Sequence, residues 1–160
     1  MDCFTPGGQA LQLAVPGLVW PGFNYDRGIE GDMRTYWEAV VPEDSRPILL
    51  ARFTKLNGAV AVQADVSSIS LKIFDLDGDS PSSPVSSTAP SVAGSVFDTL
   101  QTNSNWTRDD SGYNFSTQIP AAVLTEGRRR YAAEVMATLV AGGTVLVGQW
   151  LLSTRELMGS

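Results

Sequence analysis

From Ile48 onward the apolar residues of this chain recur at every second position, the period of strands with one buried face. In "ILLARFTKLNG", Leu49, Ala51 and Phe53 share one face, with Arg52 and Thr54 on the other. "SISLKIFDL" sets Ile69, Leu71 and Ile73 against Ser70 and Lys72. "GYNFSTQIP" places Tyr113, Phe115, Thr117 and Ile119 together before Pro120 closes the run. Tyr131, Ala133, Val135, Ala137 and Leu139 form one face of a long strand, opposite Glu134, Met136 and Thr138. In the next strand Val145, Val147 and Leu151 oppose Leu146, Trp150 and Leu152. Turn chemistry falls between these runs. Lys55-Leu56-Asn57-Gly58 reads as a hairpin turn, because Asn-Gly tolerates positive φ, and Gly142-Gly143 reads as a primed turn. "AAVLTEG" reads as a short turn or helical corner. With no long helical pattern, the runs predict an all-β fold: an Ig-like antiparallel β-sandwich of about seven strands with an extended N-terminal arm. Cys3 is the sole cysteine, so the two cysteines around a tryptophan that mark an antibody domain are missing.

The composition changes near Pro47, which predicts two parts: an extended arm over residues 1–47 and the sandwich over residues 48–160. The arm carries Pro6, Pro16, Pro21, Pro42 and Pro47 and six glycines, which leave little room for a long helix or a central strand. It is also too apolar for a linker. Trp20, Phe23, Tyr25, Tyr36 and Trp37 are the candidate partner-binding residues, because large aromatics of this kind anchor interfaces. A short helix is expected around Asp32–Val40, with Asp32 as its N-cap. A Ser/Pro/Ala-rich stretch over residues 77–95 is expected to be an exposed loop, and it is the place where a receptor or a sugar would be met.

Composition also limits the chemistry. The chain has 160 residues, 43% hydrophobic and 18% charged, enough for one domain with a real core. A net charge of −6 argues against nucleic acid or an anionic membrane as a partner. The one dense basic run, Arg128-Arg129-Arg130, reads as a solvated strand start. There is no histidine, which removes the commonest general base and zinc ligand. No signal peptide or membrane-spanning run is expected. Asp75, Asp77 and Asp79 in "FDLDGDSPSSP" match positions 1, 3 and 5 of a calcium loop. Ser80 and Ser86 stand where that loop needs glycine and a bidentate glutamate, so the stretch reads as an acidic turn at Asp77-Gly78. Asp109-Asp110-Ser111-Gly112 also reads as turn chemistry, and Trp106 as a plug at the end of the sandwich. No catalytic, cofactor-binding or metal residue is predicted, and no enzymatic activity.

"ILLARFTKLNGAVAVQADVSSISLKIFDLDG" and "GYNFSTQIPAAVLTEGRRRYAAEVMATLVAGGTVLVG" together resemble the Ig-like domains of structural proteins in tailed bacteriophages. The nearest general pattern is the N-terminal domain of phage baseplate upper proteins. The likeness covers residues 48–153 apart from the Ser/Pro loop and residues 92–110, and residues 1–47 have no counterpart in it. It implies a non-enzymatic virion protein, with a capsid decoration or cement protein as the leading expectation. A neck or baseplate protein and a carbohydrate- or receptor-binding module, with Trp106, Tyr113 and the Ser/Pro loop at its tip, are the alternatives. The implied partners are the phage major capsid protein or neighbouring virion subunits, in a homo-oligomer or a repeated array.

Overall fold

A computed structural model describes residues 11–14, 36–55, 57–106 and 109–157. Nine strands among the described residues form two sheets. The first sheet has the order β1 (Leu11–Ala14), β3 (Ile48–Ala51), β7 (Tyr113–Gln118), β6 (Val96–Gln101). The second has the order β2 (Tyr36–Pro42), β9 (Thr144–Arg155), β8 (Arg130–Leu139), β4 (Val66–Asp75), β5 (Pro84–Thr88). Every neighbouring pair is antiparallel except β2 with β9, which is parallel. This is the strand order of an Ig-like sandwich, with the N-terminal segment divided between an edge of each sheet.

The alternation read from the sequence builds the core. Leu49, Ala51 and Phe53 face Ile69, Leu71 and Ile73, with Phe115, Ala133, Val135 and Ala137 between the sheets, and none of these is more than 2% exposed. Asn114 is buried among them. Its side-chain oxygen accepts from Phe53 N at 2.6 Å, and its amide donates to the carbonyls of Phe53 and Ala61. These bonds satisfy the Phe53 N–H and the Ala61 carbonyl and tie the two backbones together just past the end of β3. At the hairpin Gly58 takes φ +81, Gly58 N–H donates to the Lys55 carbonyl and Lys55 N–H to that of Ala59, as Asn-Gly predicts.

Five expectations change. Tyr36–Pro42 is a strand, where a helix around Asp32–Val40 was expected: it pairs residue by residue with Gln149–Arg155 of β9, with Val41 fully buried in the core, and the expected N-cap Asp32 lies outside the described residues. Strand β2 therefore belongs to the sandwich although it lies before Pro47. The Ser/Pro stretch holds the edge strand β5, in which Pro84 takes the first position, and one helical turn, α1 (Val92–Ser95), capped by the Ser91 hydroxyl. In the β8–β9 hairpin the turn centres on Val140-Ala141. Gly142 N–H donates to the Leu139 carbonyl, and Gly142 and Gly143 follow at φ +92 and +88, so the glycines close a longer loop rather than form its centre. In β9 the register shifts by one residue opposite Val135 and Met136. This bulge reverses the phase: Trp150 and Leu152 join Val147 in the core and Leu151 turns outward. Finally, Tyr113 packs apart from Phe115, with Leu50 and Trp106 in a second cluster, where the β6–β7 register is irregular between Val96–Phe115 and Gln101–Tyr113.

Candidate functional site

The five sequence-predicted partner residues divide into two groups. Trp20, Phe23 and Tyr25 lie outside the described residues. Tyr36 and Trp37 lie in β2, where their backbones are register partners of Gln149 and Trp150. The connection between β1 and β2 thus spans residues 15–35. It leaves one sheet at Ala14 and enters the other at Tyr36, and these two edge strands touch.

The acidic turn at Asp77-Gly78 is built from ion pairs. Arg129 Nη1 donates to Asp75 Oδ2 at 2.8 Å and also pairs with Glu126. Arg130 holds Asp77 through its side chain at 2.6 Å and through its backbone N–H at 2.8 Å. These hydrogen bonds from Arg130 keep the Asp77 carboxyl below its ordinary range. Asp77 N–H in turn donates to Asp75 Oδ1, which fixes the turn. The basic run is thus a solvated strand start, with the Arg128 side chain 81% and that of Arg130 60% exposed, whose arginines are also paired, Arg128 with Glu156. Among the described residues no group of three or more His, Cys, Asp or Glu is placed to hold a metal ion.

A second cluster covers the outer face of the four-stranded sheet. Leu50 and Ile48 project there from β3, and Trp106, Tyr113 and Phe97 pack over them. Trp106 and Tyr113 are only 6% and 7% exposed, so Trp106 plugs a sheet face rather than the end of the sandwich, and neither ring is open for stacking on a sugar. Asp109 organises the cluster. One carboxylate oxygen accepts from Arg52 Nη2 at 2.5 Å, from the Trp106 indole at 3.1 Å and from the backbone N–H groups of Ser111 and Gly112. Arg52 also donates to the Gly112 carbonyl and lies over the Trp106 ring. Partial burial raises the Asp109 pKa, but the hydrogen bonds from Arg52, Trp106, Gly112 and Ser111 outweigh it and hold the carboxyl far below its ordinary value. A depressed carboxylate stabilises the fold above its unfolded pKa of about 4, and that stability is lost as pH falls through the folded value. Asp109→Asn is accordingly expected to lower the melting temperature at pH 7 and to flatten its fall between about pH 4 and pH 2. Melting curves across that range check this, and an unchanged acid slope would show that Asp109 does not hold the loop.

The outer face of the five-stranded sheet is different, because it carries exposed apolar side chains. Leu151, Ala132, Phe74 and Pro84 lie in one register row across β9, β8, β4 and β5. Gln149, Glu134, Lys72 and Ser87 form the next row. Val40 on β2 is 47% exposed, Leu146 on β9 39% and Val85 on β5 56%. Ala132 is 8% exposed but belongs to neither apolar cluster, so its larger neighbours on this face shield it. This apolar row was hidden in the sequence, because its residues are the outward half of strands recognised by their inward half. No family model matches the chain, and no curated protein matches it.

Proposed function

We propose that the chain is a non-enzymatic structural protein of a tailed-phage virion, a capsid decoration or cement protein whose N-terminal segment contacts a neighbouring subunit. The observation that carries this reading is that edge strands of the two sheets, β1 and β2, flank residues 15–35 in the sequence, a stretch that contains Trp20, Phe23 and Tyr25. Ig-like sandwiches need no such insertion for their own core, and long connections in compact domains are commonly functional. Aromatic anchors carried on a rigid body suit a repeated contact, where about 800 Å² per partner reaches the size of an ordinary stable interface. Many such contacts on one particle add through avidity. The resemblance of residues 48–153 to Ig-like phage domains supports the same reading.

The triple variant Trp20→Ala, Phe23→Ala, Tyr25→Ala tests it. It is expected to melt cooperatively and to lose at least a hundred-fold in occupancy when added to particles that lack the protein, about 3 kcal/mol of lost contact. Full occupancy by the variant would place the contact on the sandwich and overturn the proposal.

A further inference from the structure

We propose that the outer face of the five-stranded sheet binds the same face of a second copy of this chain, about a two-fold axis running along the strands between β8 and β4. Such an axis sets each residue of β4 against its own β8 register partner in the other copy. Phe74 then faces Ala132 and Lys72 faces Glu134, each contact made twice. Both contacts are complementary. Ala132 is the small member of an apolar row, and Phe74 is the large one beside it, so the bulk of each ring falls opposite the shortest side chain of the other copy's row. Lys72 is exposed and forms no ion pair among the described residues. Glu134 is its register partner within the chain, yet Glu134 is held instead by the Gln149 amide at 2.5 Å. Across the axis a lysine without a partner meets a carboxylate that is already oriented.

The same operation sets β9 against β5, so Leu151 meets Pro84 and the apolar row packs along its whole length on itself. Charge also favours a second copy over a highly charged partner. The chain carries a net charge of −6, but the charges that β8 and β4 bring to the two central rows are one acid and one base, and Glu38, which β2 adds beside Leu151, lies beyond the overlap of the two copies, so like copies meet at the axis without net repulsion. Two sheets packed face to face keep their strands within about 30°, so the rows next to the axis hold this register best. The dimer does not depend on the virion reading, because it concerns the isolated protein.

Sedimentation of the full chain in reductant tests the proposal, with circular dichroism to confirm that each variant is folded. The wild type is expected to dimerise. Lys72→Glu and Glu134→Lys, both on the sheet surface, are each expected to raise the dimer dissociation constant at least ten-fold, about 1.4 kcal/mol. The double swap should return it to within about three-fold of wild type, since the pair stays complementary in both copies. Ala132→Leu, which adds bulk opposite Phe74, should weaken the dimer without touching a charge. A monomer up to about 0.5 mM, well above the Kd expected of a specific interface, would overturn the proposal. So would a dimer indifferent to both single swaps, or a double swap no tighter than either.

Discussion

Removal of residues 1–47 is expected to abolish cooperative unfolding, whereas removal of residues 1–35 should leave a protein that still melts in one transition. The difference is strand β2. Its seven residues pair in parallel with β9 from Gln149 to Arg155, and Val41 is fully buried in the core. Truncation at Pro47 deletes that side chain and uncovers the edge of the strand that carries Trp150 and Leu152. It also removes the backbone hydrogen bonds of Glu43 to Arg155 and of Asp44 to Leu124. Deleting a single large core side chain costs about 2–5 kcal/mol, and a whole domain has only about 5–15 kcal/mol to lose. Urea titration of the two truncations decides the matter. Equal midpoints would mean that β2 adds nothing to the sandwich.

Val135→Asp should unfold the protein. Val135 lies midway along β8, fully buried, with β4 on one side and β9 on the other. The arginines that pair carboxylates in this protein sit at the acidic turn and on the far sheet, so the new charge would be buried without a partner. A loss of more than about 4 kcal/mol is expected. Thr138→Asp is the matched control, because Thr138 lies on the outward face of the same strand and should cost less than about 1 kcal/mol. Thermal melts followed by circular dichroism compare the two. A Val135→Asp variant that melts with the wild type would mean that the inward face is misassigned.

Much of the body was legible because strict alternation is a local signal. Ile69, Leu71 and Ile73, and Tyr131 through Ala137, each announce a buried face without reference to any other strand. The candidate sites were legible only in part. Arg52 and Asp109 are far apart in sequence, and nothing local marks them as partners. Asp109 read as one more turn aspartate, although a tryptophan three residues earlier and a following Ser-Gly hinted that its carboxylate had a structural task. The row from Leu151 to Pro84 exists only once four strands are in register, so no window of sequence contains it.

By itself the sequence determined the all-β class, the inward faces of β3, β4 and β8, and the turn at Gly58, since each follows from the alternation of side chains or from a residue that tolerates positive φ. Only the tertiary structure decided the rest. Strand β2 is an edge strand closed by Pro42, and edge strands carry weak alternation, so its place became visible only through its pairing with β9. The bulge before Trp150 reassigned Leu151 and Leu152 because one extra residue in a strand inverts every side chain beyond it. Asp75 and Asp77 of the acidic turn became arginine partners because the pairing of β8 with β4 brings Arg129 and Arg130 back to the end of β4, and Coulomb attraction at that range depends on distance in space, not along the chain.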